Sequence, residues 1–195
     1  MSERPTTLCE AFQRTATIDP DAVALRTPGD TQTLTWREYA AQVRQVAAGL
    51  SGLGVRRGGT ISLMMANRIE FYPLDVGAQH VGATSFSVYN TLPAEEITYL
   101  LDNAGTKVVI CEEQYVDRIR ASAAAIEHIV CIDGSPEGTL SLDDLYAAGG
   151  AGGVDERGDV IWLHRAPRRL EVAVVATGGV QVIQRQGPLR HHRQT

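Results

Sequence analysis

Lysine is almost absent from this chain, and two kinds of long apolar segment are missing. Of the 18 basic residues only Lys107 is a lysine, and this preference for arginine indicates a GC-rich coding sequence. No run approaches the roughly 18 to 20 apolar residues that cross a bilayer. The N-terminal "MSERPTTLCEAFQRTA" has no apolar core of a secretory signal. We therefore expect a cytoplasmic protein, and peripheral contact with a membrane stays open.

Cysteine is also scarce, and its spacing argues against two kinds of site. Cys9, Cys111 and Cys131 are an odd number, and no two of them form a CxxC pair. Structural zinc sites use closely spaced Cys or His ligands, so no metal site is predicted. An odd set of unpaired cysteines without a secretory signal is typical of reduced, mostly buried thiols.

Acidic residues nearly disappear after residue 159. Residues 1–159 carry 22 acids and 12 bases, whereas residues 160–195 carry six arginines and a single acid, Glu171. A glycine-rich stretch, "AAGGAGG" at 147–153, precedes this change. We predict a domain over 1–148, a linker over 149–159 and an atypical Arg-rich tail over 160–195 that is disordered or poorly packed. No nucleic acid is expected as a partner, because nothing in the tail predicts a fold that would hold its arginines in place.

Helical and strand periodicities alternate from residue 8 to residue 148. Thr35 with Glu38, and Asn67 with Glu70, have the spacing of residues that cap a helix N-terminus. Helices are predicted over 8–16, 35–53, 70–81, 93–104, 113–125 and 141–148, and strands over 23–26, 32–34, 60–65, 84–88, 107–111 and 128–132. Strands that alternate with helices predict an α/β fold with a mostly parallel, doubly wound sheet and helices on both faces.

No catalytic or binding motif can be placed on this framework. "GVRRGG" at 54–59 lies between a helix and a strand, whereas a phosphate cradle needs a strand, a loop and then a helix. We interpret it as a turn, and "GGAGG" at 149–153 as a linker. His80 and His128 have no partner at ligand spacing and are predicted to be structural, and Asp143-Asp144 to begin a solvated helix. GxSxG and HExxH motifs do not occur.

Two blocks of sequence resemble a known family. They are "LTWREYAAQVRQVAAGLSGLGVRRGGTISLMMANRIEFYPLDVGAQHVGA" (34–83) and "GATSFSVYNTLPAEEITYLLDNAGTKVVIC" (82–111). Both resemble the N-terminal part of adenylate-forming acyl-CoA synthetases, the AMP-binding superfamily. "VYNTL" (88–92) and "CEEQYVDRI" (111–119) are most similar to bacterial long-chain fatty-acid–CoA ligases. The resemblance covers residues 8–148 and implies an incomplete N-terminal subdomain of such a synthetase.

The resemblance implies an activity as well as a fold. Family members join a carboxylate to AMP with release of pyrophosphate, and coenzyme A then displaces AMP, so ATP, Mg²⁺, coenzyme A and a fatty acid are the implied cofactors and substrate. No segment of this chain matches three motifs of the family: its Ser/Thr-Gly-rich phosphate loop with a Lys, its ribose-binding Asp and its catalytic Lys. Tyr89, Asn90 and Thr91 match a family motif in which we interpret them as structural. No catalytic, cofactor-binding or metal-binding residue is therefore assigned.

The end of the tail suggests a hypothesis about the gene. Residues 189–195 are "LRHHRQT". If this segment is written in GC-rich codons and the reading frame is shifted by one nucleotide, the codons encode Ser-Gly-Thr-Thr-Gly-Arg-Pro. This sequence resembles the family's phosphate loop. The same shift over "QVIQRQGP" (181–188) gives mostly polar residues instead of the apolar strand that precedes the loop in the family. A frameshifted gene and a ligase truncated in another way both stay open, and the nucleotide sequence decides between them.

Two functions fit the sequence, and a third is disfavoured. The chain is a ligase-family protein that cannot form an acyl-adenylate alone, or a non-enzymatic fragment that pairs with a separately encoded remainder of the ligase. A pairing fragment should expose apolar surface where the remainder packs. An unrelated nucleotide-binding domain is disfavoured, because no strand is followed by a glycine fingerprint and a helix.

Overall fold

The structure, a computed structural model, describes residues 4–122 and 124–150. The Arg-rich tail at 160–195, the linker beyond Gly150 and the segment behind the frameshift hypothesis lie outside these residues. Within the described ranges, no helix has both the length and the apolar character needed to cross a bilayer.

The chain alternates between helices and strands as predicted. The helices are α1 (Leu8–Ile18), α2 (Trp36–Gly52), α3 (Phe71–His80), α4 (Ala94–Ala104), α5 (Val116–Ala121) and α6 (Leu142–Ala148). The strands are β1 (Val23–Arg26), β2 (Thr33–Thr35), β3 (Thr60–Met64), β4 (Thr84–Ser87), β5 (Val108–Cys111), β6 (His128–Cys131) and β7 (Leu140–Ser141).

A five-stranded parallel sheet forms the centre of the fold, in the order β4-β3-β5-β6-β7. The chain runs outward from β3 to β4 and then crosses back over β3 to reach β5. Crossover connections are right-handed, so this reversal places α3 and α4 on opposite faces of the sheet. The predicted doubly wound α/β fold is confirmed. β1 and β2 pair antiparallel as a separate two-stranded sheet.

One face of the sheet, which we call the α2 face, is covered by α2, α3 and α6. Its apolar core includes Leu50, Ile61, Leu63, Leu74, Ile110 and Leu145. Gly49 and Gly52 let α2 approach α6 closely, because a Cβ atom at either position would lie 2.0 Å from a backbone carbonyl oxygen of α6. Burial of this core provides most of the free energy that holds the three helices to the sheet.

The opposite face, which we call the α4 face, is covered by α4 and α5. Its apolar core includes Met64, Ile97, Leu101, Val109, Val116 and Ile119. Ser62 points to this face, since side chains alternate along a strand and its neighbours Ile61 and Leu63 pack on the α2 face. Ser62 is fully buried, and its hydroxyl has no hydrogen-bond partner among residues 4–122 and 124–150.

One of the two predicted capping pairs is confirmed, and the other is wrong. Thr35 and Glu38 form a capping box at the start of α2, in which the Glu38 carboxylate accepts the Thr35 N–H at 2.8 Å. At α3 the N-cap is Glu70 itself, and no side chain caps the helix. The Glu70 carboxylate is drawn away from the helix end by the guanidinium of Arg68, 3.1 Å away.

The segment predicted as one helix over 113–125 is shorter and divided. Glu113–Tyr115 form a 3₁₀ turn, and α5 ends at Ala121. The Asp133 carboxylate accepts the Glu113 N–H at 2.8 Å, which holds the chain in the tight turn. Ser122 then adopts an extended backbone conformation with ψ 135°. β7 was not predicted, because a strand of two residues shows no alternation.

Candidate functional site

In this fold a ligand site is expected first in the crevice at the carboxyl ends of β3 and β5. The connections that follow these two strands leave to opposite sides of the sheet, and open parallel sheets bind ligands at such a switch point. β3 is followed here by the loop from Met65 to Glu70, and β5 by Glu112 and the 3₁₀ turn. The first crossover, from β3 to β4, runs in one direction along the sheet, and the second, from β4 to β5, runs in the other. This strand order is the flavodoxin-like one.

The carboxylate of Glu112 closes this crevice. Glu112 is 4% exposed. One of its oxygens accepts the backbone N–H of Ala66 at 2.7 Å, and the other accepts the side-chain amide of Gln114 at 2.5 Å. A bound phosphate would need free backbone N–H groups at this place. Here the Ala66 N–H is already bound by the Glu112 carboxylate, which takes the place of such an anion.

The Arg68 guanidinium interacts electrostatically with this carboxylate, and two other acids already neutralise the guanidinium. Its guanidinium pairs with Glu70 at 3.1 Å and with Asp133 at 3.0 Å. The hydrogen bond with Glu70 raises the pKa of Arg68, so the guanidinium stays charged. Partial burial opposes ionisation of Glu70, but the bonds from Arg68 and the backbone outweigh it and lower the Glu70 pKa.

The residues at this crevice do not fit ATP, coenzyme A or Mg²⁺. Four carboxylates against one guanidinium leave a local negative charge that would repel phosphate groups. No group of three or more His, Cys, Asp or Glu side chains in residues 4–122 and 124–150 could hold a metal ion. These acids and the arginine act together as a clamp that fixes three loops, with members Arg68, Glu70, Glu112, Glu113 and Asp133.

Sequence reasoning missed this clamp, although one signal was available. Glu112 directly follows the buried strand β5, and Asp133 follows β6 by two residues. Acids in those positions meet at one sheet edge, because the carboxyl ends of parallel strands lie side by side. The position of Arg68 between them depends on how the β3–α3 loop folds, which no local pattern reveals.

The two thiols of the sheet are unsuited to nucleophilic chemistry. Cys111 and Cys131 are register partners on β5 and β6, and both are buried. Burial raises the pKa of Cys111 to about 12, and burial also raises the pKa of Cys131. Both are therefore protonated at neutral pH, and the prediction of buried thiols is confirmed for them. Cys9 is half-buried.

The contacts of His80 agree with the structural role that the sequence predicts. It is 5% exposed, and its Nδ1 donates to the carbonyl of Val76 at 2.8 Å. Burial lowers the pKa of the imidazole, so the ring is neutral at physiological pH. His128 begins β6, and its backbone N–H donates to the carbonyl of Lys107 at 3.0 Å.

Asn90, in the motif Tyr89-Asn90-Thr91, ties two loops together at the same sheet edge. Its side-chain amide donates to the Tyr115 hydroxyl at 3.0 Å, and its carbonyl accepts a hydrogen bond from Arg118. The segment at 54–59 is the predicted turn between α2 and β3, with positive φ at Gly54 and Gly58. Both observations agree with structural roles.

A second concave feature lies away from the sheet edge, where α1 crosses α2. This cleft has a volume of about 240 Å³. Side chains from α1, α2 and the end of α3 line it, among them Phe12, Val43, Arg44 and His80.

Comparison with known proteins agrees with the fold. The sequence matches the family described as AMP-binding enzyme over residues 12–159. An uncharacterized protein of Mycobacterium tuberculosis, Rv1549, is 83% identical over 135 residues, which are 69% of this chain and 77% of that protein. The long-chain-fatty-acid–CoA ligase FadD13 of the same organism is 32% identical over 115 residues, covering 57% of this chain and 23% of the ligase.

Solved structures of CoA ligases have the same architecture. A long-chain-fatty-acid CoA ligase from Rhodopseudomonas palustris superposes with a TM-score of 0.67 at 26% identity, over 74% of this chain and 37% of that one. The N-terminal domain of FACL13 from Mycobacterium tuberculosis superposes with a TM-score of 0.63 at 25% identity, over 78% of this chain and 38% of that one. The chain thus spans little more than a third of these structures. Its match over residues 12–159 shows that it belongs to the AMP-binding enzyme family, and its α/β fold is that of the N-terminal domain of acyl-CoA ligases.

Proposed function

We propose that this chain is a fatty-acid–CoA ligase family protein that does not form an acyl-adenylate by itself. The observation that carries this proposal is the closed crevice at the switch point of the sheet. Glu112 holds the Ala66 N–H there, and Arg68 is neutralised by Glu70 and Asp133. Binding of ATP requires positive charge around its phosphate groups, whereas the carboxylates at this edge give it a negative charge.

A second candidate function is that of a fragment that pairs with the remainder of a ligase. β4 is an edge strand, with β3 on one side and no partner on the other within the described residues. Thr84 and Val88 donate their N–H groups toward β3, to Gly59 and Leu63, so alternation directs the Ser87 N–H outward. An exposed parallel edge of this kind can accept a further strand. Tyr89, which follows it, is 61% exposed and supplies apolar surface for such a contact.

One assay tests both candidates. The full 195-residue chain is incubated with ATP, Mg²⁺ and palmitate, and pyrophosphate release is measured with complete FadD13 as the positive control. We expect no release above the sample without palmitate. Release that depends on both ATP and palmitate would overturn the proposed inactivity. In a second arm, the part of FadD13 that follows its matched segment is added, and restored acyl-CoA formation together with co-elution supports pairing.

A matched pair of variants identifies the contact in the second arm. Ser87→Pro removes the outward N–H of β4, whereas Ser87→Ala keeps it. If pairing uses this edge, Ser87→Pro abolishes co-elution and Ser87→Ala does not. Absence of co-elution for the unchanged chain contradicts the pairing function and leaves the first candidate.

A further inference from the structure

The cleft between α1 and α2 has an apolar floor. Phe12 on α1 and Val43 on α2 line it. Phe12 is held in place by edge-to-face contacts with Tyr39 and His80, at 4.9 and 5.5 Å between ring centroids. A volume of about 240 Å³ is below the usual range for drug-sized ligands, so the cleft suits a molecule of about ten non-hydrogen atoms.

The rim of the cleft is cationic. Arg37 and Arg44 both line it, and none of the other described residues that line it is acidic. Arg37 is paired with Asp21 at 2.9 Å. Arg44 has no ion-pair or hydrogen-bond partner in the part of the chain that the structure describes. Its guanidinium can therefore bind an anionic group without first breaking another contact.

His80 adds an acceptor to the same cleft. Its Nδ1 carries the proton that is donated to the Val76 carbonyl, since a carbonyl can only accept. The neutral ring then leaves Nε2 with a lone pair. Nε2 has no hydrogen-bond partner within the described residues, and it is not among their fully buried, unpartnered atoms. His80 lines the cleft, and its Nε2 is not sealed from solvent although the residue is 5% exposed, so a ligand in the cleft can donate a hydrogen bond to this nitrogen.

We propose that the cleft between α1 and α2 binds a small hydroxy acid. Its carboxylate pairs with Arg44, its hydroxyl donates to Nε2 of His80, and its apolar body packs against Phe12 and Val43. An acid without a hydroxyl leaves Nε2 unpartnered, and an alcohol without a carboxylate leaves Arg44 unpaired, so each binds less tightly. This site is distinct from the sheet edge considered for the ligase function, and it does not depend on that function.

The test is a titration of the full chain, followed by ¹H–¹⁵N NMR, with benzoate and with each of the three isomers of hydroxybenzoate. We expect shifts in the amide signals of Ala16, Ala40 and Val43, and at least one hydroxybenzoate that binds about fivefold more tightly than benzoate. No saturable shift at these amides up to about 20 mM ligand overturns the proposal, because a charge-assisted contact with apolar packing should reach this affinity.

Variants separate this site from unspecific binding. Arg44→Gln should weaken hydroxybenzoate about tenfold, whereas Arg57→Gln, at an exposed arginine outside the cleft, should leave it unchanged. His80→Phe should remove the preference for hydroxybenzoate over benzoate while benzoate still binds. Equal losses for Arg44→Gln and Arg57→Gln, or a preference that survives in His80→Phe, contradict the assignment. Arg44 is exposed, so its variant tests binding without disturbing the fold.

Discussion

Helices pack against each other and the sheet in different ways on its two faces. On the α2 face, glycines bring backbone against backbone, with α6 seated on Gly49 and Gly52 of α2. On the α4 face, contacts are between side chains. The packing there includes a buried hydroxyl for which the described residues offer no partner, and a pair of buried thiols. Backbone contacts cannot adjust to an added atom, whereas a side-chain interface can change rotamers. The α2 face should therefore tolerate change poorly, and the α4 face should tolerate it or benefit from it.

The largest effect is expected from one added methyl group on the α2 face. In Gly49→Ala the new Cβ would lie 2.0 Å from the Leu145 carbonyl oxygen, so α6 must move. We expect the free energy of unfolding to fall by about 2–3 kcal/mol, although alanine has a helix propensity better than glycine by about 1 kcal/mol. Urea unfolding of the full chain, followed by circular dichroism, measures it.

Ser51→Ala is the control, since it changes a partly exposed position of the same helix. It should stay within about 0.5 kcal/mol of the unchanged chain. If Gly49→Ala is as stable as Ser51→Ala, the close approach of α2 and α6 does not limit the α2 face, and the contrast between the faces is lost.

A smaller effect of opposite sign is expected on the α4 face. Ser62→Ala removes a fully buried hydroxyl that has no partner in the described part of the chain, so the desolvation penalty of this group disappears. The free energy of unfolding should rise by about 1 kcal/mol. Ser85→Ala on the neighbouring strand is the matched control, because the Ser85 hydroxyl donates to Asp75 and its loss should destabilise. A Ser62→Ala variant that is less stable than the unchanged chain would show that this face is packed as strictly as the other.

The smallest effect concerns the pH dependence of the α4 face. Burial raises the pKa of Cys111 to about 12 in the folded chain, whereas an unfolded cysteine ionises near pH 8.5. The protonated thiol therefore stabilises the fold below about pH 8.5, and this contribution is lost as the pH rises toward 12. Unfolding titrations at pH 7 and pH 9 should show a larger loss of stability for the unchanged chain than for Cys111→Ala. Identical losses would mean that the thiol ionises as readily in the folded state.

Local patterns predicted most of the elements, and they failed where a distant residue intervened. The Thr35–Glu38 capping box lies within four residues, so the sequence alone identified it. The Asn67–Glu70 pair has the same spacing, but Arg68, which also pairs with Asp133, draws Glu70 into the clamp. The helix predicted over 113–125 was interrupted for a similar reason, since Asp133 holds the Glu113 N–H in a tight turn.

The family resemblance was visible in the sequence, and the candidate sites were not. The blocks at 34–83 and 82–111 indicated the AMP-binding superfamily, which the match over residues 12–159 confirms. The cleft near His80 joins residues from α1, α2 and α3 that are up to 68 positions apart. The sequence predicted His80 as structural, and its Nδ1 contact agrees, but the open Nε2 could be recognised only in the folded chain.

The sequence by itself determined the α/β class, the parallel sheet, the order of most elements and the family, because periodicity and motifs are properties of short segments. Only the tertiary structure decided that Glu112 closes the switch point, that Arg68 is neutralised, and that α6 rests on the glycines of α2. These features depend on which side chains meet at one sheet edge or helix crossing. The reversal of the chain direction between β3 and β5 determines which side chains come into contact, and no local pattern encodes this reversal.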